Sequence, residues 1–349
     1  MTRNSPGGSS TLPPSHRRAE VPPQLFDNYG RGHDDLRISV TDRCNFRCFY
    51  CMPEEGMEWL PHEEVLTYEE IARVVRITTE LGFASYHLTG GEPLLRKDID
   101  RLIRMMLEIQ PDMDLALTTN GVSLPQVAGR LYEAGLRRIN ISLDTLDEQK
   151  FFLITRRNVF RQVMEGIEAA ARAGFSPIKI NAVAVKGLTE AELPRFARWA
   201  RETGYIVRFI EYMPLDADRS WERGRVLTAE EILEGLSAEG ELELTGGHPS
   251  DPATRYRYKD GKGEVGVIAS VTRPFCQACN RLRLTAEGMV RTCLFSTVEH
   301  NLKTLLRGGA SDEEIKVWLA GVVRTKTPGH LIGQKEFVQP ARTMSAIGG

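Results

Sequence analysis

The feature that most constrains the fold is a repeated strand–turn–helix pattern between Leu36 and about Met213. Short apolar stretches predict six strands, at 36–40, 84–89, 114–118, 138–143, 177–184 and 205–212. Amphipathic stretches between them predict helices, for example at 67–81, 97–110 and 159–173. Strand–helix units in series form a parallel sheet, and six units are fewer than the eight of a closed barrel. The predicted fold class is therefore α/β, a partial (β/α)6 TIM-type barrel.

Turn residues support these boundaries. Gly82 and Gly174 follow two of the predicted helices, as C-terminal caps do. Thr189 followed by Glu192 predicts a capping box at the start of another helix.

Residues within the predicted strands alternate between apolar and polar. Arg37 lies between Leu36 and Ile38, and Lys179 lies between Ile178 and Ile180. The same alternation places His87, Thr118, Asn140, Ser142 and Asn181 with the polar set. Helices cover the apolar face of such a sheet, so we expect the polar set to line the barrel interior and bind a polar ligand. A solvent-exposed sheet face is the alternative.

Composition limits the remaining possibilities. The chain has 349 residues, 41% of them hydrophobic, and a net charge of −2, which argues against a disordered protein or general nucleic-acid binding. No apolar run approaches the ~20 residues of a membrane helix. We expect a cytoplasmic protein with a disordered tail at 1–32, a barrel at 33–214 and a separate C-terminal region at 215–349.

The six cysteines form two groups of three. One group is Cys44, Cys48 and Cys51, directly after the first predicted strand, and the other is Cys276, Cys279 and Cys293. Three thiolates can hold three irons of a 4Fe–4S cluster and leave the fourth iron free for another ligand. A structural zinc is the alternative at each group, although zinc prefers four ligands.

The segment 36–53, Leu-Arg-Ile-Ser-Val-Thr-Asp-Arg-Cys-Asn-Phe-Arg-Cys-Phe-Tyr-Cys-Met-Pro, resembles the GTP 3′,8-cyclase family of the radical S-adenosylmethionine enzymes. The resemblance extends from about residue 34 to the end of the chain. It implies a lyase that converts GTP into (8S)-3′,8-cyclo-7,8-dihydroguanosine 5′-triphosphate, the first step of molybdenum cofactor (molybdopterin) biosynthesis. In this superfamily the first cluster cleaves S-adenosylmethionine to form a 5′-deoxyadenosyl radical.

The resemblance also implies site residues and cofactors. It implies two 4Fe–4S clusters, held by the two cysteine groups, and S-adenosylmethionine. The residues expected to contact S-adenosylmethionine are Tyr50, Gly91 in the run Thr89–Pro93, Ser142 and Met213. The residues expected to contact GTP are Arg37, Thr118, Lys179, Arg281, Leu282 and Arg283, with Arg208 as an addition.

Two further expectations concern single positions. The family carries Arg or Lys two residues before Thr89, where this chain has His87. We expect His87 to face the triphosphate. GTP affinity should then weaken as the pH rises through the titration of the His87 imidazole. The resemblance also implies that the terminal Gly348-Gly349 reaches the active site and acts in catalysis together with Arg281 and Arg283.

The resemblance implies partners as well: GTP, an unidentified electron donor, the next enzyme of the molybdopterin pathway and a second copy of the chain in a homodimer. Neither a nucleic acid nor a membrane is expected. Two alternatives remain at this point, a peptide-modifying radical enzyme with an auxiliary cluster and a non-catalytic zinc-bearing module.

Overall fold

The computed structural model describes residues 24–348. The strands are β1 Leu25–Phe26, β2 Gly32–His33, β3 Asp35–Ser39, β4 Ser85–Thr89, β5 Asp114–Thr119, β6 Arg138–Ser142, β7 Ile178–Ala184, β8 Ile206–Glu211, β9 Leu242–Thr245, β10 Thr254–Tyr258, β11 Glu264–Ile268, β12 Arg281–Leu284, β13 Met289–Arg291 and β14 His300–Asn301. The helices are α1 Tyr68–Glu80, α2 Ile99–Ile109, α3 Leu124–Glu133, α4 Glu148–Thr155, α5 Phe160–Arg172, α6 Leu193–Thr203, α7 Ala229–Ser237, α8 Lys303–Arg307, α9 Asp312–Arg324 and α10 Met344–Ile347.

The six predicted strands form the centre of one sheet. Strands β3 to β8 are neighbours in chain order, and each pairs in parallel with the next. At least one helix follows each of β3 to β7 before the next strand begins, which is the connection that parallel pairing requires. The predicted partial β/α barrel is confirmed.

The C-terminal region lengthens this sheet at both edges, which the sequence did not predict. Strand β12 pairs in parallel with β3, and β11 pairs in parallel with β8. Strands β10 and β11 form an antiparallel hairpin within this region. The full sheet has 12 strands in the order β14-β13-β12-β3-β4-β5-β6-β7-β8-β11-β10-β9.

The alternation within the strands has the predicted effect. Leu36, Ile38, Ile178 and Ile180 are buried in the hydrophobic core that the helices cover. The intervening polar residues are partly exposed on the opposite face, as the alternating burial along β7 shows. One face of the sheet therefore stabilises the fold, and the other is free to form a polar site.

Two of the three predicted helix caps are present. Gly82 and Gly174 have φ angles of 84° and 99°, the left-handed region that ends a helix. The prediction of a capping box at Thr189 is wrong. A 3-10 turn over 190–192 precedes α6, and the Thr189 hydroxyl instead accepts a hydrogen bond from the Val185 amide at 3.0 Å. A side chain that is engaged in the preceding turn is not free to cap the helix.

The prediction of disorder is wrong for residues 24–32. Residues 1–23 lie outside the described residues, but 24–32 contain β1 and the start of β2. Asp27 and Arg31 form a buried ion pair with 2.6 Å between Oδ2 and Nε. Arg31 also donates to the carbonyls of Cys276, Thr327 and Pro328 at 2.7–2.9 Å. These contacts with distant residues order a segment whose local composition indicates disorder.

Candidate active site

The polar face of the sheet encloses a cavity of about 470 Å³. Its lining from β3 to β8 includes Arg208 and six members of the predicted polar set, Arg37, His87, Thr118, Asn140, Lys179 and Asn181, but not the seventh, Ser142. The C-terminal region contributes Arg281, Arg283 and the second cysteine group. The prediction that these side chains share one interior space is confirmed.

Two cations in this cavity are available to a ligand. Among the described residues, neither Arg37 nor Lys179 has a hydrogen-bond or ion-pair partner, and the buried Nε of Arg37 is unsatisfied. Burial, followed by repulsion from Arg138, Arg208 and Arg255, lowers the pKa of Lys179 to about 8. Buried cations without partners favour an anionic ligand, because its charge would offset theirs.

A hydrogen-bond network crosses the floor of the cavity. His87 Nε2 is 2.6 Å from Thr118 Oγ1 and 3.2 Å from Asn140 Nδ2. Arg208 donates to Asn140 Oδ1 at 2.7 Å and to Asn181 Oδ1 at 2.9 Å, so its guanidinium is fixed by neutral groups. Arginine held in this way keeps its full charge for a ligand.

His87 does not behave as expected from the sequence. Burial, with Arg37 and Arg208 as the nearest repelling charges, lowers its pKa well below the usual value. The imidazole is therefore neutral near pH 7, and the predicted titration of His87 in the neutral range is not supported. Its contact with Thr118 makes it a hydrogen-bonding group of the cavity.

The second cysteine group faces the cavity directly. Cys276, Cys279 and Cys293 are all among its lining residues. Burial raises the pKa of the Cys279 thiol, but the charges of Lys326 and Arg281 outweigh this and lower it overall. Thiolates are the form that binds iron, so the surroundings of Cys279 favour a metal ligand.

Two of the predicted arginines connect this group to the rest of the site. Arg281 Nε lies 3.4 Å from Asp35 Oδ2, and its guanidinium packs over the ring of Phe275. Arg283 Nη1 donates to the carbonyl of Gly348 at 2.9 Å. Leu282, the third residue of this run, does not line the cavity, because alternation along β12 turns its side chain into the hydrophobic core.

The C-terminal segment lies between the two cysteine groups. Gly348 has a φ of 82°, and a Cβ there would be 2.8 Å from the Cβ of Ser39. Burial raises the pKa of the Cys51 thiol to about 11, and hydrogen bonds from Ser345 partly oppose this shift. Gly348 therefore lies next to Arg283 of the cavity; its role in catalysis stays a prediction, and Gly349 lies outside the described residues.

The first cysteine group occupies the loop after β3, outside the cavity lining. Burial raises the pKa of Cys44 to about 12 and that of Cys48 well above its usual value. Gly91 fixes this loop, since its amide donates to the Thr41 carbonyl at 2.8 Å and a Cβ on it would lie 2.4 Å from the Arg43 carbonyl oxygen. Because that amide is engaged, the backbone atom of Gly91 left for a ligand is its carbonyl, an acceptor suited to an amino group.

The other predicted contacts to S-adenosylmethionine surround this loop. The Tyr50 hydroxyl donates to Asp144 Oδ2 at 2.5 Å, which joins the cysteine loop to the end of β6. Ser142 is the last residue of β6, and Met213 follows β8 and lines the cavity. The structure thus brings Tyr50 and Ser142 to the same end of the sheet as the cysteines.

Sequence reasoning missed several residues of the site. They are Arg31 and Lys326 beside the second cysteine group, Asp144 beneath Tyr50, Glu92 beneath the first cysteine loop, and Arg138 in the cavity. Glu92 had a detectable signal, because it directly follows the glycine pair. Arg31 and Lys326 had none, because their partners lie far away in the sequence.

The positions of the cysteines are compatible with a 4Fe–4S cluster. Between residues 24 and 348, no three His, Cys, Asp or Glu side chains are close enough to hold one metal ion. A 4Fe–4S cluster bonds each cysteine through a different iron, so its ligands need not converge on one atom. All six cysteines are free thiols, three in each group. No helix between residues 24 and 348 is long and apolar enough to cross a bilayer.

Comparisons with known proteins agree with this arrangement. The Radical SAM superfamily matches residues 38–200, and the family Molybdenum Cofactor Synthesis C matches residues 205–332. A GTP 3′,8-cyclase from Streptomyces coelicolor is 48% identical over 329 residues, which cover 93% of this chain and 96% of that protein. A GTP 3′,8-cyclase from Rhodopirellula baltica is 48% identical over 333 residues, covering 94% and 93% respectively.

A solved structure supports the fold alone. Streptococcus suis SuiB bound to S-adenosylmethionine aligns with a TM-score of 0.57 at 16% identity, covering 85% of this chain and 69% of that chain.

Proposed function

The chain belongs to the GTP 3′,8-cyclase family of radical S-adenosylmethionine enzymes, and from this premise we propose how its residues carry out that reaction. It is a lyase that converts GTP into (8S)-3′,8-cyclo-7,8-dihydroguanosine 5′-triphosphate, the first step of molybdenum cofactor biosynthesis. The observation that carries the proposal is the polar cavity, in which unpartnered cations lie beside a second group of three cysteines.

Cys44, Cys48 and Cys51 would hold the first 4Fe–4S cluster. S-adenosylmethionine and this cluster, when bound, supply the organic radical that removes hydrogen from the ribose of GTP. Tyr50, the Gly91 carbonyl, Ser142 and Met213 would orient S-adenosylmethionine. The buried position of the cysteine loop would keep water away from it.

The second cluster is the finer part of the proposal, with Cys276, Cys279 and Cys293 as its ligands. Cys279 lies beside two cations, Lys326 and Arg281, that lower the pKa of its thiol, and all three cysteines line the cavity. A cluster there would hold the guanine end of GTP, with Arg281 beside it.

Four basic side chains would bind the triphosphate. Arg37 and Lys179 are unpartnered, Arg208 is fixed by two amides, and Arg283 is fixed by the Gly348 carbonyl. His87 and Thr118 would supply neutral hydrogen bonds between them. Fixed donors stabilise a highly charged ligand without first having to reorganise. Gly348 would hold the Arg283 guanidinium in place at this end of the site, and a role for Gly349 in catalysis stays a prediction.

The proposal also includes partners. Reductive cleavage of S-adenosylmethionine consumes an electron, so an external electron donor is required, and the cyclised nucleotide is the substrate of the next enzyme in the pathway. The homodimer and the cytoplasmic location stay predictions; the mass of the native protein in solution tests the first.

The test is anaerobic turnover of the wild-type protein and two cysteine variants. We expect the wild type to contain about eight irons per chain, to cleave S-adenosylmethionine and to form the cyclised nucleotide. Cys48→Ala should abolish both activities, because the cluster loses a ligand. Cys279→Ala should retain cleavage but lose cyclisation. Equal loss of both activities in Cys279→Ala would contradict a substrate-binding role for the second group.

A further inference from the structure

Lys326 is a buried lysine with an unusual environment. It follows α9, and 4% of its surface is exposed. Its ammonium donates to the Arg281 carbonyl at 2.7 Å and lies 3.5 Å from Cys279 Sγ. Lys326 does not line the cavity, so its ammonium approaches Cys279 from outside the space proposed for GTP.

No carboxylate compensates this charge. Within residues 24–348, Lys326 forms no ion pair with Asp or Glu. Burial lowers the pKa of its ammonium, and Cys279 and Cys293 are the groups that oppose this shift. A buried ammonium without an opposite charge is strongly destabilising, so a folded protein pairs it or neutralises it. The thiolates of the second cysteine group are the available opposite charge.

The surrounding chain holds the ammonium in this position. Arg31 donates to the carbonyls of Thr327 and Pro328, directly after Lys326, and also to the carbonyl of Cys276. Asp27 in turn fixes the Arg31 guanidinium at 2.6 Å. The lysine and the cysteine loop are therefore tied to one buried anchor.

We propose that Lys326 is a positioning residue that compensates the charge of the Cys279 thiolate and thereby sets the reduction potential of the second cluster. This inference rests on the proposed function, which assigns a cluster to that group. Reducing a cluster adds negative charge, and a cation or hydrogen-bond donor at its sulfur stabilises the reduced form. Lys326 therefore raises the potential relative to the same cluster without it.

Three variants of the reconstituted holoenzyme test this. Lys326→Met removes the charge and the donor while keeping an unbranched side chain, Lys326→Arg keeps both, and Arg324→Met removes an exposed cation two residues away. The midpoint potentials of both clusters are measured by electron paramagnetic resonance during redox titration. The first cluster serves as an internal reference in every sample.

In Lys326→Met we expect the second cluster to become harder to reduce. The ratio of reduced to oxidised cluster at a given potential should fall at least tenfold, which corresponds to a shift of 59 mV in the midpoint potential of a one-electron couple. Lys326→Arg should shift much less, and Arg324→Met should match the wild type. Loss of the second cluster from Lys326→Met with retention in Lys326→Arg would also support the proposal.

An unchanged second-cluster potential in Lys326→Met, with about eight irons bound, overturns this inference alone. Equal loss of the cluster from Lys326→Met and Lys326→Arg overturns it too, because packing rather than charge would then be responsible. About four irons in the wild-type protein would instead remove the second cluster from the proposed function, and this inference with it.

Discussion

Lys179 should make GTP binding depend on pH in the alkaline range. Burial and the neighbouring arginines lower its pKa to about 8, against 10.5 for an ordinary lysine. A triphosphate beside it favours the ammonium, so binding raises the pKa and takes up a proton. GTP affinity should therefore be greatest below pH 8 and weaken as pH rises through that value.

The magnitude follows from the fraction protonated. A group with a pKa of about 8 is about nine-tenths protonated at pH 7 and about one-tenth at pH 9. If the ammonium form is the one that binds, the dissociation constant of GTP rises about tenfold over this interval, or ~1.4 kcal/mol. At pH 8, binding should take up about half a proton.

The assay is anaerobic calorimetry of the holoenzyme with GTP from pH 7 to 9, in two buffers of different ionisation enthalpy. Lys179→Arg is the control, because guanidinium keeps its proton throughout. Phosphate groups lose their second proton near pH 6, below the interval, and any titration of the guanine base contributes equally to the profiles of the two proteins. We expect the slope and the proton uptake to disappear in Lys179→Arg. Parallel profiles for the two proteins would refute the reasoning.

Three further predictions concern other parts of the site. Gly91→Ala should deplete iron from the first cysteine group and leave the second group loaded, because the new Cβ would lie 2.4 Å from the Arg43 carbonyl oxygen. Iron analysis with spectroscopy of each group checks this, and full iron content would contradict it. His87→Gln should bind GTP within about threefold of the wild type from pH 6 to 8, because the imidazole is already neutral; a pH slope that vanished in the variant would show that His87 titrates. Glu92→Ala should lower the free energy of unfolding of the apoprotein by ~3 kcal/mol in urea, because two buried donors and one half-buried donor lose their acceptor; a loss below ~1 kcal/mol would contradict this.

The cavity lining could be predicted from the sequence because it depends on local geometry. Alternate residues of a strand face opposite sides, so the alternation alone assigns Arg37, His87, Thr118 and Lys179 to one face. The helix cap at Gly82 could be predicted for the same reason, because it too depends on local geometry. The cysteine spacing likewise indicates two clusters, because each group of three lies within a short span of the chain.

Features that depend on contacts between distant residues could not be predicted. Arg31 lies in a segment with the composition of a disordered tail, yet its partners are Cys276 and the turn at 327–328. Lys326 would pass for an ordinary lysine at a helix end. The resemblance covers Arg281, Leu282 and Arg283 as one run. It does not separate Leu282, whose side chain strand β12 turns away from the two arginines and into the core.

The pairing of β12 with β3 has a consequence for how the protein is made. Arg281 lies opposite Asp35, 246 residues earlier in the chain. At 5–20 residues per second, a ribosome needs roughly 12–50 s to synthesise the chain between them. Throughout that interval β3, which leads into the first cysteine loop, is an edge strand with unpaired backbone groups and can associate with other chains. Nascent chains of this enzyme should therefore need a chaperone on that edge, and halting synthesis before residue 281 should favour aggregation over a smaller folded product.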